Sequence, residues 1–424
     1  MNSSMLPRRD FLKTLIGAAG GALAASSRRA AAEVSPARRT LRIGVAGCGG
    51  RGLGAAANAL NADADTVVHA LADAFPEQME RGRRLLDAQF PGRVLVPDSR
   101  CFAGLDGYRD LLESGVDVVL LATPPCFRPA MVAAAVKAHK HLYVEKPVAV
   151  DVPGALSVLH AARTARERRL AILDGFCWRY DPANVEAHRL LDSGRWGAAL
   201  SFDAKYFTSP PKSPLSLDSR PAGEGDVSWA LRNWTAWNWL SGGPFVEQVC
   251  HCVDGMLWSF GERMPAAAVG SGGRAQRTDD GDVWDHYDVY FDYGDGVEAH
   301  ISCRQWKGCH GEIEDRTLCG KGTLITPGKP RFLGSERWRY RGPGGSMYDL
   351  THAELFRCIR SGEWKQTLES AARKTLVALL GRNAAQTGRR LTWEELLDDT
   401  DALMPENLKW NSALPAMRVP VPGR

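Results

Sequence analysis

The architecture of this chain is decided at residues 41–52, Leu41-Arg42-Ile43-Gly44-Val45-Ala46-Gly47-Cys48-Gly49-Gly50-Arg51-Gly52. Its first six residues form a short apolar run that reads as a buried strand, and the Ala-rich stretch from Leu53 to Leu60 reads as a helix. Between them Gly47, Gly49 and Gly52 stand at G-x-G-x-x-G spacing, with Gly50 beside them. The first glycine suits a tight turn, the second lets a pyrophosphate approach the backbone, and the third lets the helix sit close to the strand. The helix N-terminus then offers free N–H groups and partial positive charge to phosphate. Such a glycine pattern is weak alone, but a second strand, Thr66 to Ala72, ends at Asp73, 21 residues beyond Gly52. An acid there accepts hydrogen bonds from ribose hydroxyls and repels a 2′-phosphate, so NAD is expected in preference to NADP.

Working outward, Pro76 to Gln89 reads as helix, Val116 to Ala122 as strand, Pro129 to His139 as helix and Leu142 to Val144 as strand. A helix from Ala155 to Arg169 and a strand from Leu170 to Phe176 follow. This alternation predicts an α/β Rossmann domain, a doubly wound parallel sheet, over residues 40–165. Later runs, Leu200 to Thr208, Tyr287 to Tyr293, Val297 to Cys303 and Glu312 to Leu318, have β character, and Gly/Asp turns such as Tyr293-Gly294-Asp295-Gly296 join several of them. They predict an α+β domain over 166–400 with a large open, mostly antiparallel sheet for substrate binding and subunit contact. Thr367 to Thr387 reads as a long helix, Ser209 to Gly225 as a loop placed to cover a site, and 401–424 as an extended Pro-rich tail.

The first 32 residues have a different texture. Arg8-Arg9-Asp10-Phe11-Leu12-Lys13 precedes a weakly apolar Gly/Ala-rich run and the small residues Ala30-Ala31-Ala32. That order is expected of a twin-arginine export signal, which implies the twin-arginine machinery as a partner and a periplasmic or otherwise exported location. The leader contributes four of the four net positive charges, so the remainder is about neutral. A neutral chain gives no electrostatic case for nucleic acid or an anionic membrane surface, and no run reaches the roughly 18–20 apolar residues of a bilayer span. None of the ten cysteines stands in a Cys-x-x-Cys pair, so no metal site is expected and most should be small buried side chains.

Two further segments carry chemistry. Glu145-Lys146-Pro147 falls where a strand of the parallel sheet ends, the side on which such sheets bind ligands. There, Lys146 faces the nicotinamide, and burial beside that ring is expected to lower its pKa and let it assist in deprotonating a substrate hydroxyl. In Gly242-Gly243-Pro244 to Asp254, Glu247, His251 and Asp254 fall at i, i+4 and i+7, one face of a helix, the pattern of a histidine oriented by a carboxylate. A satisfied polar cluster gives the same pattern. The tryptophans lie beyond residue 177 and crowd between Trp229 and Trp239, as in a sugar-stacking cleft or an aromatic core.

These segments, with Ala122-Thr123-Pro124-Pro125, Trp178-Arg179-Tyr180, Gly194-Arg195-Trp196-Gly197 and Thr392-Trp393, resemble in order the Gfo/Idh/MocA oxidoreductase family. The resemblance implies hydride transfer between a sugar or polyol carbon and a tightly bound NAD(P), with Lys146, His251 and Glu247 catalytic. It implies that Thr123, Pro124, Glu145 and Arg179 lie around the cofactor. Trp234, Trp237, Asn238 and Tyr180 are the expected substrate contacts, with His286 and Tyr287 behind them. A homodimer or tetramer is implied as well. Two alternatives stand beside this reading: an NAD-dependent glycosidase acting through transient oxidation and elimination, and a non-catalytic sugar- or NAD-binding protein.

Overall fold

The structure is a computed structural model describing residues 39–423, and the export segment expected at 1–32 lies outside the described residues. Six parallel strands form the first sheet: β1 (Leu41–Ala46), β2 (Thr66–Asp73), β3 (Cys101–Ala103), β4 (Val118–Leu121), β5 (His141–Val144) and β6 (Ile172–Asp174), in the order β3-β2-β1-β4-β5-β6. Helices cover both faces, so the strands are mostly apolar; all four residues of β4, Val-Val-Leu-Leu, are buried. The helices between them are α1 (Gly50–Ala62), α2 (Pro76–Gln89), α3 (Gly107–Glu113), α4 (Arg128–Lys137) and α5 (Val152–Glu167). Because β6 pairs with β5, the first sheet runs past residue 165 to Asp174.

After α6 (Pro182–Asp192) come β7 (Ala199–Thr208), α7 (Asp226–Arg232), α8 (Asn238–Ser241), α9 (Gly243–Glu247) and α10 (Cys250–Ser259). The remaining strands are β8 (Ala267–Gly273), β9 (His286–Asp292), β10 (Glu298–Gln305), β11 (Glu312–Cys319), β12 (Gly322–Thr326), β13 (Arg331–Gly334), β14 (Arg337–Arg339) and β15 (Leu391–Thr392). With β7 they make a nine-stranded sheet in the order β14-β13-β12-β11-β7-β10-β9-β8-β15. Only β7 and β10 pair in parallel, so the mostly antiparallel second sheet expected from the hairpin turns is present.

One face of this sheet is apolar, with Phe202, Ala204, Val289, Phe291, Ala299 and Ile301 all buried beneath helices. The chain then returns to the first domain. Helix α11 (Met347–Ser361) packs Leu355, Phe356 and Cys358 into the same cluster as Ala55, Ala59 and Leu60 of α1. Helix α12 (Leu368–Thr387) is buried on nearly every side, and α13 (Trp393–Leu397) follows β15 through a Thr392/Glu395 capping box. All ten cysteines are free thiols, eight of them buried. Among the described residues, no helix is long and apolar enough to cross a membrane. No cluster of His, Cys, Asp or Glu among them is arranged to hold a metal ion.

Candidate active site

A cavity of about 750 Å3 opens at the C-terminal ends of β1, β2, β4 and β5, and residues from both domains line it. The glycine turn forms one wall. Gly47 has φ +91°, where only glycine sits without strain, and a Cβ on it would stand 2.7 Å from the Thr123 nitrogen. A Cβ on Gly52 would overlap the Gly47 carbonyl oxygen, whereas Gly49 and Gly50 face open space within the cavity wall. Among the described residues no side chain caps α1, so its first amides are open to an anion. Asp73 pins the turn, accepting from the Cys48 amide at 2.6 Å and the Phe75 amide at 2.9 Å, and lines the cavity too. Burial raises its carboxyl, and the two amides partly offset the rise. An open glycine cradle, uncapped helix amides and an acid at the second strand's end together fit a dinucleotide.

The strand ending in Tyr143-Val144-Glu145-Lys146 carries the next wall. Glu145 is buried and accepts from Arg51 Nε at 2.5 Å and the Tyr143 hydroxyl at 2.9 Å. Burial raises its carboxyl, but Arg51 overcomes this and holds it below the ordinary carboxylate range. Arg51 occupies one of the variable positions of the glycine pattern, so the phosphate-binding turn and the reactive strand are joined by an ion pair.

Lys146 Nζ donates to the Glu247 carbonyl at 2.5 Å and lies 3.3 Å from its Oε1. The sequence led us to expect a lowered lysine. Burial does act in that direction, but the Glu247 carboxylate more than reverses it, so Lys146 is held as an ammonium above the ordinary lysine range.

The single helical face expected for Glu247, His251 and Asp254 is not formed. Both the Gln248 and Val249 amides donate to the Pro244 carbonyl, at 2.9 and 3.0 Å, so the hydrogen-bond ladder ends and restarts, and α9 and α10 are separate helices. Glu247 therefore turns to Lys146. Asp254 does not orient the histidine either: it is 1% exposed and bound 2.8 Å from both Arg179 Nη2 and Lys374 Nζ. His251 is instead framed by rings, stacked on Trp178 at 4.8 Å and edge-on to Phe176 at 6.0 Å. It lines the cavity, and its buried Nδ1 has no hydrogen-bond partner among the described residues. Burial, and then the nearby Lys146 ammonium, push its pKa down to about 3, so the imidazole is neutral at ordinary pH.

Of the other expected contacts, Thr123, Pro124 and Trp234 line the cavity. Arg179 does not: it is spent on Asp254 and Glu262. Trp237 belongs to an apolar cluster, Asn238 is tied to Asp282 through its amide (2.7 Å) and its Nδ2 (3.1 Å), and Tyr180 packs on the first-domain core. His286 bonds Asp285, and Tyr287 is buried with its hydroxyl accepting from Gln386. The tryptophan-rich segment is thus largely core: α7 buries Trp229 and α8 buries Trp239, while Trp234 and Trp237 are partly buried against one apolar cluster.

The sequence reading missed Arg51, Cys177, Tyr348 and Arg128, all in the wall. The buried Arg128 guanidinium donates to the carbonyls of Pro147 at 2.5 Å and Thr123 at 2.6 Å, fixing the loops after β4 and β5 to one another. Nothing local in the sequence marks that role.

The fold and this cavity define a Rossmann-type protein with a second sheet domain, and comparison with known proteins agrees. Residues 41–172 match the oxidoreductase family with an NAD-binding Rossmann fold, and residues 184–325 match the GFO/IDH/MocA C-terminal domain. The chain belongs to the Gfo/Idh/MocA oxidoreductase family. It is 32% identical over 173 residues to a dTDP-3,4-didehydro-2,6-dideoxy-alpha-D-glucose 3-reductase of Actinomadura kijaniata, covering 41% of this chain and 47% of the relative. It is 30% identical over 215 residues to an inositol 2-dehydrogenase of Saccharopolyspora erythraea, covering 50% and 57%. The chain thus spans about half the length of these relatives. The crystal structure of an aldose-aldose oxidoreductase from Caulobacter crescentus shares the fold, with TM-score 0.66 and 16% identity over 84% of this chain and 100% of that one.

Proposed function

We propose that the protein is an NAD(P)-dependent oxidoreductase acting on a hydroxyl of a sugar or polyol. The observation that carries this reading is the pairing, in one cavity with the glycine cradle, of a neutral histidine and a lysine held as a cation. His251 takes the hydroxyl proton, its low basicity being raised once an anion develops beside it. Lys146 donates to the same oxygen and stabilises its growing negative charge. Glu247 keeps Lys146 charged and aimed. The nicotinamide, when bound, supplies the hydride acceptor or donor. The curated relatives, a keto-sugar reductase and an inositol dehydrogenase, support the substrate class.

The Asp73 carboxylate at the end of β2, in the cavity wall, supports NAD over NADP, because an acid at that position repels a 2′-phosphate. The twin-arginine pattern supports export. The second sheet's outer face carries Val269, Tyr290 and Leu318 exposed, which supports a homo-oligomer. Mass spectrometry of gently unfolded protein identifies the dinucleotide, and a panel of sugars and polyols read by nicotinamide absorbance identifies the reaction. Glycoside cleavage with solvent deuterium uptake, and no net redox product, would replace this reading with the glycosidase one. No turnover by either route, with dinucleotide bound, would leave a binding protein.

A further inference from the structure

The matched family regions end at residue 325, yet residues 401–423 are not a loose tail. The Leu403 amide donates to Asp151 Oδ2 at 2.9 Å and the Leu414 amide to Asp226 Oδ2 at 3.0 Å, while the Pro420 carbonyl accepts from Trp284 Nε1 at 3.1 Å. Leu403, Met404, Leu408, Leu414 and Met417 pack on one apolar cluster with Phe75, Val227 and Leu231. That cluster joins the two domains at the Asp73 end of the cavity.

Phe75 is where the tail, α7 and the Rossmann domain meet. It lies two residues beyond Asp73, lines the cavity, and meets Trp410 of the tail edge-on at 5.5 Å. The Arg232 guanidinium, at the end of α7, lies 4.0 Å from the Phe75 ring, and its Nη2 donates to Glu77 of α2 at 2.8 Å. Helix α7 and the turn after it are therefore fastened to the Rossmann domain from the inside, and the tail is fastened to both from the outside. Lys212, Leu215, Leu231, Arg232 and Trp234 of this covering all line the cavity. They lie outside the Rossmann region that the family model matches.

We propose that residues 401–417 are a strap that locks α7 and the Trp234 turn as a roof over the adenosine half of the dinucleotide site, so that the cofactor stays resident between turnovers. The inference rests on the dinucleotide reading above. A dinucleotide whose adenosine lies beside Asp73 and Phe75 leaves only when the roof lifts. Lifting it breaks the Arg232–Glu77 pair and the Phe75–Trp410 contact and exposes the apolar cluster. The strap is built before the cofactor arrives, so entry needs the same lifting and the strap slows exchange in both directions, which the dissociation rate reads directly.

The test uses full-length protein stripped of nucleotide and reloaded with NAD or NADP. Retention through gel filtration and the dissociation rate in the presence of competing nucleotide are the readouts, beside a chain ending at residue 400 and the milder Trp410→Ala. The wild type should keep its dinucleotide through the column, and both variants should release it about tenfold faster or more. Trp410→Ala, which removes one half-exposed ring, should keep the wild-type circular dichroism and so decides the matter if the shortened chain fails to fold. Wild-type dissociation rates in a folded Trp410→Ala protein would overturn the strap. Failure of the wild type to bind either dinucleotide would overturn the cofactor reading itself.

Discussion

Replacing Asp254 by Asn removes the one carboxylate shared by two buried or nearly buried cations behind His251. Lys374 is 3% exposed, and among the described residues its Nζ meets Asp254 Oδ1 at 2.8 Å and the face of Phe176 at 4.5 Å. Arg179 retains Glu262, so the stranded charge is chiefly Lys374. Breaking a buried pair from one side costs about 3–5 kcal/mol, and because Asn keeps an acceptor oxygen we expect about 3 kcal/mol in Asp254→Asn. Asp254→Asn/Lys374→Met, which also removes the ammonium, should recover more than half of that loss. Guanidinium unfolding of the three proteins measures it.

A pH series gives a second reading of the same knot. Burial would raise the Asp254 carboxyl, but Arg179 and Lys374 hold it at about 2, below its usual value. The unfolded state therefore takes up the proton first on acidification. The stabilisation is complete above about pH 4 and is lost as pH falls through about 2, an effect of about 2 kcal/mol that Asp254→Asn should lack. A single-variant cost under about 1 kcal/mol, or a double variant less stable than the single one, would refute the reasoning.

Three further outcomes follow from the same geometry. Lys146→Met should lower turnover by about 10²–10⁴-fold while leaving dinucleotide affinity within a few-fold, measured by steady-state kinetics and by calorimetric titration. His251 stays neutral in the fold down to about pH 3 but protonates near its ordinary value when unfolded, so it contributes stability that is lost as pH falls from about 6.5 toward 3; His251→Gln should flatten the stability–pH slope in that window by about 1.4 kcal/mol per pH unit. Gly52→Ala forces the new methyl against the Gly47 carbonyl, and equilibrium binding should show dinucleotide affinity lost while circular dichroism keeps its α/β shape.

The parallel sheet was legible because its strands are buried on both faces, so runs such as Val118–Leu121 carry an unbroken apolar signal. The glycine turn was legible because two of its glycines answer a local steric demand, Gly47 a positive φ and Gly52 a carbonyl in contact, and Gly49 leaves the cradle open. The hairpins of the second sheet showed in their Gly/Asp turns. What failed was one local break in a helix and several contacts far apart in the chain. Helical spacing put Glu247, His251 and Asp254 on one face, but the Pro244 carbonyl takes two successive amides and splits the helix, sending the three side chains to different partners. An aromatic cluster has the same composition whether it lines a cleft or fills a core, so Trp237 and Trp239 could not be told from Trp234. The Arg51–Glu145 pair spans 94 positions and the Arg382–Val150 contact 232, separations at which periodicity carries no information.

Those long-range contacts explain how two distant segments deliver Lys146 and His251 to one cavity. Helix α12 presents hydrogen-bonding side chains to both. Thr375 Oγ1 accepts from the Val148 amide at 3.3 Å, two residues beyond Lys146, and Arg382 Nη1 donates to the Val150 carbonyl at 2.8 Å. Lys374, adjacent to Thr375, holds Asp254 on the helix that carries His251. Thr375 and Arg382 stand seven residues apart, close to two helical turns, so they share a face directed at the loop after β5. Lys374 is rotated about 100° from Thr375, toward α10. A rigid helix with these three side chains sets the distance between the loop and α10 directly, without relying on the surface contacts between domains. This is why a helix without a clear apolar stripe is buried almost all round: Lys374, Thr375 and Arg382 are not solvated but are spent on fixing the two halves of the site to each other.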